Sequence, residues 1–310
     1  MSGATNILQA IGNTSLVQLQ RVVPPGCAKI FAKLEWENPT GSMKDRAAYA
    51  MISAAEKDGR LKAGDTVIEY TGGSTGISLA LVCVAKGYPL HIVTSDAFSE
   101  DKRVQMASFG ADLTIVPSEG GLTTKKLILD MIDVAEEASR KPNTFLTNQL
   151  KNKDGIKGYY PLAEEIWSQM NGEVDAFVHS VGTAASSRGT ATVLKSHNPK
   201  LELVAVEPGE SPILSGGEPG PHSIEGVGIG YTPPLWEPDL VDEIVPVTTD
   251  DAKAMTRRLA KEEGLFAGTS SGANVIAAIQ TGKRLGPDAT IVTLMCDSGL
   301  KYLSTDVHRE

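Results

Sequence analysis

Cysteine is scarce in this 310-residue chain: Cys27, Cys83 and Cys296 are odd in number and far apart. That excludes a small disulfide-stapled fold and gives no zinc-ligand spacing, so the thiols are expected to be reduced. No apolar run approaches the roughly 20 residues that span a bilayer, and the start Met1-Ser2-Gly3-Ala4 lacks the basic-then-apolar pattern of a secretory signal. The expected location is the cytoplasm. No block of Lys or Arg stands out from the 29 Lys+Arg and 38 Asp+Glu, and the net charge is -9. Nothing there suits a nucleic-acid backbone, so neither nucleic acid nor membrane is an expected partner. Internal repeats and low-complexity tracts are also missing. What is present is 41% hydrophobic residues, enough to bury a core of one large domain or two ordinary ones.

From about Thr66 onward, short apolar runs alternate with longer amphipathic ones, divided by Gly, Pro or Asp. This patterning predicts strands at 66–69, 90–94, 113–116, 176–179, 201–206 and 290–295. Helices are predicted at 45–57, 75–86, 100–109, 123–139, 155–169, 187–196, 250–263 and 272–281. The fold class is α/β, with mostly parallel strands joined by right-handed crossovers and ligands bound at the strands' carboxyl ends. The segment from Glu207 to Pro238 is rich in Gly and Pro without periodicity, and a loop of that length is either functional or a plain surface excursion.

Five segments place small or hydroxylic residues where a strand hands over to a helix. In Asn38-Pro39-Thr40-Gly41-Ser42-Met43-Lys44-Asp45-Arg46, a turn delivers Lys44 to a helix start. The helix macrodipole disfavours a cation there, and a neutral amine can form a Schiff base, although a solvated first-turn lysine fits the same residues. Thr71-Gly72-Gly73-Ser74-Thr75-Gly76 combines glycines with the unpaired N–H groups of a helix start, which suits a carboxylate or phosphate. Gly182-Thr183-Ala184-Ala185-Ser186 repeats that arrangement, and two such cradles suit a ligand set carrying phosphate at one end and carboxylate at the other. Gly268-Thr269-Ser270-Ser271-Gly272 also matches a hydrolase nucleophile elbow, with Asp297 and His308 following in hydrolase order. Asp297-Ser298-Gly299 could offer a serine to a ring nitrogen, or be an ordinary turn. Gly226-Val227-Gly228-Ile229-Gly230 lacks the flanking strand and helix of a dinucleotide site. The histidines form no ligand pair, so no metal is expected, and core or solvated roles are the default for His91, His179 and His222.

The order and spacing of these segments resemble the cysteine synthase and cystathionine β-synthase family, pyridoxal-phosphate enzymes of fold type II. The resemblance runs from Ile11-Gly12-Asn13-Thr14-Ser15-Leu16 to Asp297-Ser298-Gly299-Leu300-Lys301-Tyr302-Leu303-Ser304-Thr305. It implies pyridoxal 5'-phosphate as cofactor and Lys44 as the Schiff-base lysine that also moves the substrate α-proton. By position it assigns Thr71, Gly72, Gly73, Ser74, Thr75 and Gln149 to the substrate carboxylate, and Gly182, Thr183, Ala184, Ala185 and Ser186 to the phosphate. Ser74 takes the place of an asparagine that contacts the cofactor ring hydroxyl, and Ser298 that of the serine facing the ring nitrogen. Four departures stand out: Gly72 and Ser74 replace Ser and Asn, and Ala184 and Ala185 replace two glycines, so their methyls must point away from the phosphate. Cys296 replaces a proline and reads as a packing neighbour rather than a reactive thiol.

The resemblance further implies two three-layer open-sheet domains with helices on both faces, like the tryptophan synthase β-subunit. The expected division is a smaller mobile domain, 39–145, inserted in a larger one made of 1–38 and 146–310, in a homodimer. The implied reaction is β-replacement: O-acetylserine loses acetate to give an aminoacrylate, and sulfide or a thiol adds. Cystathionine synthesis, use of O-phosphoserine and cysteine desulfhydration stay open within the family. Outside it stand the serine hydrolase and a non-catalytic cofactor-binding paralogue.

Overall fold

The computed structural model describes residues 4–121 and 123–309; Met1, Ser2 and Gly3, part of the segment read for a secretory signal, lie outside them. Ten strands follow in chain order among the described residues: β1 (Leu16–Gln18), β2 (Lys29–Leu34), β3 (Thr66–Tyr70), β4 (Leu90–Ser95), β5 (Asp112–Val116), β6 (Thr144–Leu146), β7 (Ala176–Ser180), β8 (Glu202–Pro208), β9 (Glu243–Val247) and β10 (Thr290–Met295). They form two sheets, a six-stranded one in the order β1-β2-β10-β7-β8-β9 and a four-stranded one in the order β5-β4-β3-β6. Among the described residues, β1–β2 is the one antiparallel pair of strands.

Among the described residues, the α-helices are α1 (Lys44–Asp58), α2 (Ser74–Lys86), α3 (Glu100–Ser108), α4 (Lys125–Ala138), α5 (Asp154–Lys157), α6 (Tyr160–Gln169), α7 (Ala185–His197), α8 (Thr249–Arg258) and α9 (Thr269–Leu285). Alternate strand residues feed cores on opposite faces. On β8, Val204 and Val206 pack with Ala252 of α8 and Val275 of α9, whereas Leu203 and Ala205 pack with Leu162 of α6 and Leu194 of α7. On β3, Val67 meets Ile52 and Ile77 of α1 and α2, whereas Ile68 meets Leu127 and Met131 of α4. Every residue of β7 and β10 is buried, as parallel strands covered on both faces must be. No helix among the described residues is long and apolar enough to cross a membrane.

The sequence-based elements differ from the structure where local chemistry is mixed. The helix expected over 155–169 is two helices, because Gly158 lies against the Arg46 carbonyl, 2.5 Å from where a Cβ would be, and Pro161 has no N–H for a continuous ladder. The helix expected over 250–263 ends its α part at Arg258 and finishes as a π-turn, Leu259–Glu263. Strands β1, β2, β6 and β9 escape the periodicity: β2 carries the buried Lys33, β9 is an edge strand with Pro246 inside it, and β1 and β6 have three residues each.

Candidate active site

A cavity of about 330 Å³ opens where the carboxyl ends of both sheets face each other, and it gathers most of the strand-to-helix loops singled out by the sequence. Lys44, Thr71, Gly72, Gly73, Ser74, Thr75, Gln149, Gly182 and Thr183 all line it. The Gly/Pro-rich segment is no surface excursion, since residues 222–229 line the same cavity.

Lys44 opens α1 and is fixed from both sides. Met43 N–H donates to the Cys296 carbonyl at 2.9 Å, and Lys44 N–H donates to Ser42 Oγ at 3.2 Å. Two residues further on, Arg46 lies between two carboxylates, Nε and Nη2 on Glu35 and Nη1 and Nη2 on Glu165, at 2.7 to 2.8 Å. The first turn of α1 is thereby anchored to the six-stranded sheet and to α6. Burial is the leading cause that lowers the Lys44 pKa, with the Cys296 thiol and the Asp297 carboxyl opposing it. The neutral amine expected from the helix dipole is favoured chiefly by dehydration.

Gln149 is held by the strand it faces. Its Nε2 donates to the Tyr70 carbonyl at 2.9 Å, its Oε1 accepts from Thr75 Oγ1 at 2.7 Å, and its backbone N–H donates to Glu69 Oε2 at 2.9 Å. Glu69 is buried, and burial pushes its carboxyl up to about 7 against the hydrogen bonds from Thr147, Gln149 and Tyr70. Gly72 and Gly73 are steric necessities, because a Cβ on either would collide with Phe98 or Lys102. Ser74, the first residue of α2, reaches across to Asp297, whose Oδ2 also accepts from the Tyr302 hydroxyl at 2.9 Å.

The second cradle is only partly at the cavity surface. Gly182 and Thr183 line it, and Gly182 has no room for a side chain because the Gly226 carbonyl would lie 2.2 Å from its Cβ. Ala184 and Ala185 turn into the apolar core beside α6 and α7. Ser186 does not line the cavity; its Oγ lies 2.8 Å from His179 Nε2.

Ser298 is not where the resemblance implies. Along the extended stretch after β10, Asp297 bridges to Ser42 and Ser298 bridges to Ala267, and neighbours in extended chain point to opposite sides. Asp297 therefore faces the cavity, whereas Ser298 Oγ accepts from Leu300 N–H at 3.2 Å and caps the turn Gly299–Tyr302. The serine that does line the cavity is Ser270, in the first turn of α9. Its segment stood out in the sequence as a strand-to-helix hydroxyl cluster, which was the available signal. His179 and Cys296 are also in the lining, and nothing in the sequence separates them from ordinary core residues. The Cys296 thiol is buried, accepts from Asn274 Nδ2 at 3.5 Å and is pushed up to about 11 by burial and by Asp297. His308 lies against Phe266 with Nε2 on the Ala267 carbonyl, so it is tied elsewhere than to Ser270.

The family model described as "Pyridoxal-phosphate dependent enzyme" matches residues 7–297. The chain belongs to this family. It is 41% identical to the cysteine synthase of Staphylococcus aureus over 98% of this chain and 96% of that one. Among solved structures, a cysteine synthase from Entamoeba histolytica superposes with a TM-score of 0.93 at 36% identity, covering 100% of this chain and 92% of that one. An O-acetylserine dependent cystathionine beta-synthase from Helicobacter pylori superposes with a TM-score of 0.93 at 35% identity, covering 99% of this chain and 100% of that one. The hydrolase reading of the Ser270 segment falls with this membership, and the fold is that of the type II pyridoxal-phosphate enzymes. The residues at the cavity fit the cofactor: a lysine whose neutral form burial favours, Gly182 and Thr183 on the cavity wall just ahead of the start of α7, and a buried Asp297 Oδ1 that has no hydrogen-bond partner among the described residues.

Proposed function

We propose that this protein makes cysteine by β-replacement, exchanging the acetate of O-acetylserine for sulfide, with Lys44 as attachment point of the cofactor aldehyde and as the base that moves the α-proton. The observation that carries the reading is the dehydrated Lys44 amine at the meeting of both sheets, beside the Thr71–Thr75 loop and Gln149. When bound, pyridoxal phosphate supplies the electron sink that makes the α-proton removable. The chain's own residues do the rest. Within the Thr71–Thr75 loop the Thr71 and Gly73 N–H groups are spent on the Val93 carbonyl and Thr71 Oγ1, so the N–H groups of Gly72, Ser74 and Thr75, with Gln149, orient the substrate carboxylate and point the α-proton at Lys44 Nζ. Gly182 to Ser186 at the start of α7 receive the phosphate, and Ser270 rather than Ser298 supplies the hydroxyl for the ring nitrogen. We assign residues 39–145 to a smaller mobile unit, built around the four-stranded sheet, that closes on the substrate and excludes water. The same reading makes the protein a cytoplasmic homodimer.

One observation favours a second acceptor. Two ion pairs, Lys102 with Glu225 and Lys253 with Asp306, line the cavity, and paired opposite charges match the ammonium and carboxylate of an amino-acid thiol. The alternative product is then cystathionine, with homocysteine replacing sulfide.

The deciding experiment is the visible spectrum of purified protein and of Lys44→Ala, before and after O-acetylserine, followed by product analysis with sulfide and with homocysteine. A cofactor band that responds to O-acetylserine in wild type and not in the variant, with cysteine as the faster product, supports the reading. A band that ignores O-acetylserine but answers O-phosphoserine or cysteine replaces the substrate. A spectrum without a cofactor band after reconstitution removes the whole reading.

A further inference from the structure

Five non-glycine residues have positive φ among the described residues; four are asparagines, and the fifth is Ala184, at φ +67 and ψ -5. Asparagine visits the left-handed region readily, whereas a Cβ without a polar end disfavours it by about tenfold or more relative to glycine. Such a conformation persists where the surroundings hold it. Ala184 lies in the middle of the Gly182–Ser186 loop, and its own side chain is buried in the core, so it cannot relax outward. On its downstream side the loop is held at the Ala184 carbonyl, which accepts from Ser187 Oγ at 3.1 Å and from Arg188 N–H at 3.0 Å, and at Ser186, whose Oγ meets His179 Nε2 at 2.8 Å.

His179 is itself held in one protonation pattern. Asn274 takes Ser180 N–H on Oδ1 at 2.7 Å and gives Nδ2–H to the Leu294 carbonyl at 2.9 Å, so its amide cannot flip. The second N–H of that fixed amide is shared between His179 Nδ1 at 3.4 Å and Cys296 Sγ at 3.5 Å. An N–H on Nδ1 would oppose the N–H of Asn274, so the ring proton belongs on Nε2, from which it is donated to Ser186. Burial, and secondarily the Lys44 charge, keep the ring neutral by lowering its pKa to about 3. Both nitrogens are engaged, which leaves His179 no free atom for acid or base chemistry in the cavity it lines. A continuous link runs from β10 through Asn274 of α9 and His179 of β7 to the first turn of α7.

We infer that His179 is a positioning residue for cofactor binding: its hydrogen bond to Ser186 adds to the bonds on the Ala184 carbonyl in keeping Ala184 in the left-handed conformation that the phosphate loop requires. This rests on reading Gly182–Ser186 as the phosphate loop, and the two can be tested apart.

The measurement is the dissociation constant of pyridoxal phosphate on reconstituted protein, read by fluorescence, with the phosphorus-31 resonance of the bound phosphate as a second readout. His179→Ala and Ser186→Ala are each expected to weaken binding about fivefold to tenfold, the effect of one buried hydrogen bond. Placed in an Ala184→Gly background, where the left-handed conformation is free of strain, His179→Ala should cost less than about twofold. The phosphorus resonance should move in His179→Ala and return in the double variant. Ser186→Ala, which removes a single oxygen, carries the test if His179→Ala fails to fold. Equal losses with alanine or glycine at 184, or no loss in either single variant, overturn the inference. Thr183→Ala separates the underlying reading: if it leaves affinity and resonance unchanged, Gly182–Ser186 is not the phosphate loop.

Discussion

Ser74 Oγ and Asp297 Oδ2 meet at 3.2 Å, joining the first residue of α2, beside the four-stranded sheet, to a residue two places past the end of β10 in the six-stranded sheet. Both residues line the same cavity as Lys44, so the contact ties together the two sheets' contributions to that cavity. Removing it by Ser74→Ala is expected to raise KM for the amino-acid substrate about threefold to tenfold, the worth of a hydrogen bond to a carboxyl group. The value of kcat should change less. Steady-state kinetics decide it, and a change in kcat alone would place Ser74 in the chemistry instead.

Ser270 and Ser298 predict opposite behaviour. Ser270→Ala should lower kcat and move the visible maximum of the bound cofactor, because Ser270 lines the cavity. Ser298→Ala removes a turn cap and should cost about 1 kcal/mol of stability with little kinetic effect. Spectra and urea melts of both variants test the pair together.

Glu69 gives a pH dependence with a definite sign. Its carboxyl is raised to about 7 from 4.5, so between those values the folded protein keeps a proton that the unfolded chain has lost. Its contribution to stability is complete below about 4.5 and falls away as the pH rises through about 7, a loss on the order of 3 kcal/mol. In Glu69→Gln that component is absent, so unfolding free energy measured from pH 4.5 to 8 should fall less steeply than in wild type. Parallel curves would contradict the assignment.

Glu35 and Glu165 clamp the guanidinium of Arg46 on both sides, and Lys33 Nζ adds a 2.8 Å ion pair to Glu165. Glu35→Ala leaves a buried positive charge short of its partner, and the expected loss is about 3 to 5 kcal/mol in urea unfolding. Because Arg46 is two residues past Lys44, cofactor occupancy should fall as well. A variant as stable as wild type would show that the clamp contributes nothing.

The fold was legible wherever burial is uniform. β7, β8 and β10 read as apolar runs, and the helices between them read from their periodicity, because parallel strands and their covering helices leave a one-sided record. β2 was hidden by Lys33, an ordinary surface residue in sequence that is paired with Glu165 in the core. The site was legible in its loops but not in its side-chain directions. Ser298 and Ser270 are both plausible hydroxyls in one dimension, and only the alternation after β10 turns the first outward. His179 carried no signal, because its role depends on Asn274 and Ser186, which reach this β7 residue from α9 and α7.

The order of strands in the larger sheet has a consequence for synthesis. β10 lies between β2 and β7, yet among the described residues it comes after both in chain order, as the last of the ten strands. Until translation passes Asp297, β2 and β7 present unpaired apolar edges to each other across a missing strand, and Lys44 lacks the carbonyl and carboxyl that surround it in the finished protein. The four strands of the smaller sheet, all complete by Leu146, can pair much earlier. A chain that stops before β10 is therefore expected to leave the larger sheet unfinished and open to aggregation or proteolysis.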